Sequence, residues 1–209
     1  MRPLSDHCPK PLLKAGGKTL LDWHLQRLKA AGCRRVVINI AWLGEQVRSH
    51  LNVIDWHGMD IVISDEGEHA LETAGGIVHA RPLLGDAPFG LVNGDVWSDF
   101  DLRRLPIPAA GAASLVVVDN PSHHPQGDFV FTNGLLKNAG QGQRVTYAGL
   151  GYFHPGFFDD QPAGAQPLGP VLREAADNEQ LAGVMHYGDW SDVGTPERLA
   201  VLDAKLSAV

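Results

Sequence analysis

The sequence predicts an α/β protein with a mixed, mostly parallel sheet, helices on both faces of that sheet and a small antiparallel insertion. Short, nearly continuous apolar segments alternate with segments whose apolar residues recur at helical spacing, which is typical of parallel strands covered by helices. Beyond Asn120 the apolar segments become shorter and are joined by glycine-rich turns. This change indicates antiparallel pairing in the later part of the chain.

The elements of the first half follow from periodicity and from turn residues. Leu21, Leu25 and Leu28 share one face of a helix predicted over 19–32, which Gly32 would end. The elements predicted after it are a strand at 35–42, a helix at 45–51, a strand at 60–64, a helix at 74–83, and strands at 89–93 and 113–118.

The second half is predicted to contain short strands and two helices. The segment Thr195-Pro196-Glu197 predicts the start of the last helix, because it offers a hydroxyl cap, a proline at the first position and an acid in the first turn. No linker-like stretch and no internal repeat interrupts the chain, so one domain over residues 1–209 is expected. The other elements predicted here are strands at 129–132, 134–136, 145–153 and 181–187 and a helix at 170–178.

Composition excludes several classes of protein. The chain carries 24 acidic and 17 basic residues and a net charge of −7, without a run of lysine or arginine, which argues against a nucleic-acid partner. No stretch of 18 apolar residues and no apolar signal segment is present, so no membrane partner is expected. Two cysteines make neither a disulfide framework nor a zinc site. A cytoplasmic protein acting on small molecules is expected.

Two aspartates are candidate metal ligands. Asp95 follows a predicted buried strand, and Asp192 precedes the last helix. Ligands of open α/β sheets bind at the carboxyl ends of the strands. Two carboxylates from distant segments suit Mg²⁺, which completes its shell with water and phosphate oxygens. Each aspartate taken alone is equally typical of a solvated turn.

Two further segments are candidate phosphate or nucleotide contacts. Lys10 stands between two prolines, which stiffen the segment that presents it, and a lysine binds phosphate as a point charge. The small residues from Thr73 to Gly76 lead into a helix, whose backbone N–H groups could approach an anion closely. The alternatives are a solvated lysine and a helix cap at Thr73.

Five segments of the chain resemble, in order and spacing, those of the sugar nucleotidyltransferase family. They are Arg2-Pro3-Leu4-Ser5, Pro9-Lys10-Pro11, Leu71-Glu72-Thr73-Ala74-Gly75, Asn93-Gly94-Asp95 and Trp190-Ser191-Asp192-Val193-Gly194-Thr195-Pro196-Glu197. The resemblance covers essentially the whole chain. It implies the Rossmann-like nucleotide-diphospho-sugar transferase fold and Mg²⁺ as cofactor.

Within the family the chain is most similar to the short uridylyltransferases of peptidoglycan recycling. That similarity implies a reaction of UTP with a sugar 1-phosphate, N-acetylmuramic acid 1-phosphate, to give a UDP-sugar and pyrophosphate. An enzyme similar to mannose-1-phosphate guanylyltransferases and a non-catalytic nucleotide-binding remnant stay open as alternatives. A monomer or weak dimer is expected.

The resemblance also implies a role for individual residues. The lysine and arginine of the first two segments would be catalytic, the two aspartates would bind the metal, and glycines and polar residues elsewhere would bind the substrates. The implied sets are Lys10 and Arg2 (catalytic), Asp95 and Asp192 (metal), Thr73, Gly75, Asn93 and Gly94 (nucleotide), and Gly149 and Asp128 (sugar phosphate).

The chain departs from the family at its start. The family's first strand and its glycine-rich loop, with a catalytic arginine, would precede Met1. That strand is central in the family's sheet, so we expect the 209 residues alone to be unstable or nearly inactive. We also expect the gene to read upstream into roughly a dozen more residues that form a short strand and a phosphate-binding turn. A stop codon directly upstream, with full activity of the short chain, would contradict both expectations.

Overall fold

The computed structural model describes residues 1, 3–53, 55, 56 and 58–208. These residues divide into two compact units. The first unit is formed by Met1–Ala70, Gly94–Leu102 and Trp190–Val209, and the second by Leu71–Asn93 and Arg103–Asp189. The expectation of one domain over residues 1–209 stays a prediction.

The described residues form helices and strands that alternate in the first half of the chain. The helices are Leu4–His7 (α1), Leu20–Ala30 (α2), Gly44–Asn52 (α3), Glu72–Leu84 (α4), Leu168–Asp177 (α5) and Pro196–Ser207 (α6). The strands are Lys14–Ala15 (β1), Lys18–Thr19 (β2), Arg35–Ile40 (β3), Asp60–Asp65 (β4), Phe89–Val92 (β5), Val96–Ser98 (β6), Ala113–Asp119 (β7), Phe129–Thr132 (β8), Leu135–Lys137 (β9), Gln143–Phe153 (β10), Leu181–Met185 (β11) and Trp190–Asp192 (β12).

Helix α2 is fixed at its start by a reciprocal cap in the first unit. The Thr19 hydroxyl accepts from the Asp22 N–H at 3.0 Å, and the Asp22 carboxylate accepts from the Thr19 N–H at 3.2 Å. Burial would raise the pKa of Asp22, but hydrogen bonds from His50 and Thr19 outweigh burial and lower it. The cap therefore also ties α2 to α3, which carries His50.

Three strand pairs and helix α6 complete the first unit. Strands β1 and β2 are antiparallel. Strands β3 and β4 are parallel, from Arg35 opposite Asp60 to Ile40 opposite Asp65. Strands β6 and β12 are antiparallel. Helix α6 buries Leu202 in a small core cluster. That cluster is continuous with the β6–β12 pair, because it also contains Val193, the residue that follows β12.

The second unit is built on a six-stranded sheet in the order β5-β10-β7-β11-β9-β8, with β10 also paired to β8. Strand β7 is buried from Ala113 to Val118, as its unbroken apolar sequence predicts. Residues of α4 and α5 share one core cluster with the inner strands. Burying apolar surface on this scale is the main stabilising contribution to such a unit.

The sheet is less parallel than the sequence predicts. Among the described strands, β3 with β4 and β7 with β11 pair in parallel, whereas the other pairings are antiparallel. The expectation of a mostly parallel sheet is therefore corrected. An apolar run indicates that a strand is buried but not the direction of its neighbours. Strand β10 pairs antiparallel with β5, β7 and β8, and so carries the antiparallel region into the core.

A core aromatic of β10 gives a test of this packing. Phe153 is fully buried, with ring centroids 5.3 Å from Phe157 and 5.4 Å from Phe158. We expect Phe153→Ala to lower the free energy of unfolding by about 3–5 kcal/mol, because it removes these contacts and leaves a cavity. Denaturant unfolding measures the change. Ile107→Ala, at a residue 74% exposed, is the control and should stay within about 0.5 kcal/mol. Equal losses in the two variants would contradict the packing.

Candidate functional site

The pairing of β6 with β12 makes neighbours of two aspartates that are far apart in sequence. Asp192 stands opposite Val96, and the N–H of Val193 donates to the carbonyl of Asp95 at 2.7 Å. Asp95 and Asp192 are thus adjacent positions on two hydrogen-bonded segments of the first unit. That both aspartates serve one site stays a prediction.

Lys10 is the cation next to Asp95. Its Nζ lies 3.2 Å from Asp95 Oδ2, and the two side chains are 43% and 36% exposed. Solvent screens such a pair, so it contributes little to stability and matters for where it places a positive charge. The lysine begins a short 3₁₀ turn, Lys10–Leu12, after Pro9. The segment that carries Lys10 is therefore a constrained turn, and a contact of Lys10 with phosphate stays a prediction.

Gly94 allows the turn that carries Lys10 to lie close to Asp95. A Cβ atom at Gly94 would lie 2.9 Å from Cγ of Pro11, closer than real Cβ contacts. The proline ring is held in the same turn as Lys10. The glycine before Asp95 therefore has a steric reason to be there, independent of any contact with a nucleotide.

Arg198 is the cation next to Asp192. Its Nη1 lies 2.5 Å from Asp192 Oδ2, with side chains 28% and 34% exposed. Arg198 lies in the first turn of α6, where its N–H donates to the Thr195 hydroxyl at 3.3 Å. The cap predicted at Thr195 is therefore present. The same turn that begins the helix also directs an arginine to the second aspartate.

One face of α2 lies under the segment that carries Asp95. Trp23 makes an edge-on contact with Trp97 of β6, at 6.5 Å between ring centroids, and Arg27 donates to the carbonyl of Phe100. Between them His24 is 6% exposed and lies against the backbone of Gly94 and Val96. Helix α2 is thus the support on which this part of the site rests.

The imidazole of His24 is held neutral. Burial and, to a smaller extent, the charge of Arg27 lower its pKa, while Asp95 and the nearby backbone raise it, and the net pKa is about 4. Its Nε2 is buried without a hydrogen-bond partner among the residues that the structure describes.

The predicted nucleotide loop lies at the start of α4 in the second unit. The helix begins at Glu72 and its N-cap is Leu71, so Thr73 is exposed within the first turn and is not the cap. The N–H groups of Ala74 and Gly75 donate to the Gln166 carbonyl at 3.0 and 3.1 Å. They are thus already engaged within the fold.

The side-chain space of Gly75 is also occupied. A Cβ at this position would overlap the carbonyl oxygen of Gly164. Gly75 therefore has a packing role against the segment before α5. Thr73 is the member of the predicted loop whose exposed side chain can meet a ligand, and its assignment to the nucleotide stays a prediction.

The other predicted substrate residues of the second unit lie around β10. The N–H of Asn93 donates to the Gly149 carbonyl at 2.9 Å. Gly149 has φ of 73°, where β10 shifts register against β7, so the bulge itself requires glycine. Asp128 accepts from the Tyr147 N–H at 2.9 Å and lies 3.2 Å from Nε2 of His124. These contacts give Asp128 a structural role whatever it binds.

The donor set fits a hard divalent cation. Within the described residues no three or more His, Cys, Asp or Glu side chains cluster as a closed metal site. Mg²⁺ needs only one or two protein carboxylates when water and phosphates complete its shell, and Asp95 and Asp192 supply two. Arg2, predicted to be catalytic, lies outside the described residues.

Comparison with known proteins identifies the family. Residues 1–208 match the family model described as Nucleotidyl transferase. The chain belongs to the nucleotidyl transferase family. The resemblance predicted from five sequence segments is confirmed. Among the described residues of this nucleotidyl transferase, no helix is long and apolar enough to cross a membrane.

Individual relatives differ in how much of their length matches this nucleotidyl transferase. It is 43% identical to the N-acetylmuramate alpha-1-phosphate uridylyltransferase of Neisseria meningitidis, over 100% of this chain and 94% of that protein. It is 28% identical to the mannose-1-phosphate guanylyltransferase catalytic subunit beta of Drosophila melanogaster, over 94% and 57%. The inositol-1-phosphate CTP transferase structure from T. maritima matches with a TM-score of 0.77 at 16% identity, over 99% and 90%, which shows the shared fold.

Two residues that contact the candidate site were not singled out from the sequence. His24 follows Leu21 by three positions and precedes Leu25, so helical periodicity alone places it on the buried face of α2. Arg198 stands in the first turn of a helix, where a cation is unfavourable unless an acid offsets it. The helical spacing of His24 and the position of Arg198 at a helix start could both be recognised in the sequence. Neither residue lies in one of the five segments that resemble the family.

The buried His24 predicts a pH dependence of stability. Its pKa is lowered from 6.5 to about 4, so between these values the unfolded chain binds a proton that the folded chain does not. The free energy of unfolding should therefore fall as pH falls from 7 towards 4, by about 3 kcal/mol from this group. Denaturant unfolding at several pH values measures the slope.

His24→Gln should flatten this slope even if it lowers stability at every pH. His69→Gln, at an exposed histidine of the same unit, is the matched control and should keep the slope of the unchanged chain. If His24→Gln keeps the full slope, the buried neutral imidazole is not its source.

Proposed function

We propose that this nucleotidyl transferase joins UTP and N-acetylmuramic acid 1-phosphate to give the UDP-sugar and pyrophosphate. We place the reaction in peptidoglycan recycling and in the cytoplasm, where UTP is present. The observation that carries the proposal is the pairing of β6 with β12, which places Asp192 opposite Val96 and Val193 against Asp95, the partner of Lys10, in a chain with 43% identity to a uridylyltransferase of this kind.

The chemistry needs positioning and charge neutralisation more than a base. An oxygen of the sugar phosphate attacks the α-phosphorus of UTP, a P–O bond forms there, and the bond to the bridging oxygen of the pyrophosphate breaks. Because the attacking oxygen is already an anion, no proton has to be removed from it. The protein contributes alignment of two polyanions and compensation of their charge.

The first unit offers groups suited to that task. Asp95 and Asp192 would hold Mg²⁺, and a bound Mg²⁺ supplies neutralisation of phosphate charge. Lys10 is held at Asp95 by an ion pair in a constrained turn, so its ammonium is available to a phosphate as a placed point charge. Arg2 is assigned to the triphosphate on its motif alone.

The remaining assignments concern specificity and rest on the resemblance. Thr73 and Asn93 would contact the nucleotide, and Gly149 and Asp128 the sugar phosphate. Exposure supports Thr73, while the hydrogen bonds of Asp128 within the fold favour an indirect role in shaping the strand β10.

Substitution of the two aspartates tests the proposed metal role. In the active chain, Asp95→Asn and Asp192→Asn should each lower kcat by at least about 100-fold, because each removes a negative oxygen from the proposed cation site. The double variant should be little worse than either single variant, since the residues act as a unit. Pyrophosphate release measures turnover.

The matched control for this experiment is Asp60→Asn. Asp60 forms an exposed ion pair with Arg35 in the same unit, and its loss should leave turnover unchanged. Thermal unfolding of each variant separates loss of fold from loss of chemistry. Near-normal activity of either single aspartate variant would remove that residue from the site.

A substrate panel tests the proposed specificity. UTP with N-acetylmuramic acid 1-phosphate should give the highest kcat/KM among combinations of the four nucleoside triphosphates with several sugar 1-phosphates. A preference for GTP with mannose 1-phosphate would move the assignment to a guanylyltransferase. Nucleotide binding without turnover of any pair would favour the non-catalytic alternative.

A further inference from the structure

We propose that Arg198 is a positioning residue for Asp192, and that position 194 is glycine because the Arg198 guanidinium occupies the space of its side chain. The inference rests on the proposed role of Asp192 as a metal ligand. It adds that the contact with Arg198 orients Asp192 before the metal binds.

The location of Arg198 requires a specific partner. It is the third residue of α6, and the amino end of a helix carries partial positive charge that disfavours a cation. The contact of its Nη1 with Asp192 Oδ2 at 2.5 Å supplies the compensating charge. Both side chains are only about one third exposed or less, so solvent screens this pair less than a surface pair.

A hydrogen-bonded carboxylate has a fixed orientation. Carboxylates that ligate metals are usually held in this way by a second residue, whose loss typically lowers metal affinity or activity by 10–100-fold. A guanidinium suits the task, because its planar fork directs its donors along fixed lines. Arg198 therefore has the chemistry and the location to orient Asp192.

Gly194 makes room for the guanidinium. A Cβ at Gly194 would overlap Nη2 of Arg198 and lie 3.0 Å from its Cζ. Gly194 does not have the positive φ that would itself require glycine. The steric reason for glycine is thus the arginine and not the backbone.

Gly194→Ala is consequently a selective probe. The atoms that a new methyl group would displace are the far end of a flexible side chain, so the fold can accommodate the change. The guanidinium must leave its place, and its hold on Asp192 is lost with it. The variant therefore disturbs the orientation of Asp192 without altering either charged residue.

The test measures binding of Mn²⁺ to the purified chain by electron paramagnetic resonance, with thermal unfolding of the same samples. We expect Gly194→Ala and Arg198→Gln each to weaken Mn²⁺ binding by about 10–100-fold. Gly90→Ala, where a Cβ meets nothing closer than 4.0 Å, and Arg35→Gln, which breaks the surface pair with Asp60, are the matched controls and should bind Mn²⁺ normally.

The double variant tests the steric link itself. A glutamine at 198 does not reach the space beside Gly194, so adding Gly194→Ala to Arg198→Gln should cause no further loss of Mn²⁺ binding. Additive losses of Mn²⁺ binding would show that Gly194 does not act through Arg198, and would overturn the proposed steric link between the two residues. In activity assays the Mg²⁺ concentration for half-maximal rate should rise, while kcat at saturating Mg²⁺ changes less.

Asp192→Asn separates the two proposals. If it weakens Mn²⁺ binding while Gly194→Ala and Arg198→Gln do not, the positioning role is wrong and the metal role stands. If Asp192→Asn leaves Mn²⁺ binding unchanged, the metal role of Asp192 fails, and the inference that rests on it fails too.

Discussion

The candidate site depends on one short antiparallel pairing, β6 with β12. These strands are three residues long, yet their register brings Asp95 and Asp192 together from the middle and the end of the chain. The Val193 N–H bond to the Asp95 carbonyl, at 2.7 Å, continues the pairing to the aspartates themselves. This register sets how far apart the two aspartates lie along the paired segments, so it is a condition of the proposed chemistry.

Such a short pair cannot hold its register alone, and α2 and α6 supply the support. Helix α2 lies against β6 through Trp23, His24 and Arg27. Val193 is fully buried in a cluster with Leu202 of α6. The helices are themselves fixed by threonine caps, at Thr19 and Thr195. The caps thus fix the helices, the helices support the strand pair, and the strand register places the two aspartates.

The sequence predicted the periodic elements well and the site's supports poorly. Helix α2 and strand β7 were readable because apolar spacing reports burial directly. The glycine-rich turns also predicted antiparallel pairing in the later part of the chain, where β10 lies. The antiparallel pairing of β5 and β7 with β10 was not predicted, since an apolar run does not report the direction of its neighbour. Strands β6 and β12 escaped prediction because three residues carry too little pattern to distinguish a strand from a turn. The resemblance to known segments singled out Lys10, Asp95 and Asp192. Linear patterns place His24 on a buried helix face and Arg198 at a helix start, but their contacts with Gly94, Val96 and Asp192 are visible only in the structure.

The two glycines beside the aspartates show how the linear segments encode this geometry. Neither Gly94 nor Gly194 adopts the left-handed conformation that would demand glycine. At each position a side chain would instead collide with the element that brings a cation: the Pro11 ring next to Lys10 at one, and the Arg198 guanidinium at the other. Each aspartate thus has a neighbouring glycine that admits the positive charge facing it. The spacing of glycine and aspartate in both segments therefore reflects paired charge in the first unit, because a side chain at either glycine would displace the group that brings the cation to its aspartate.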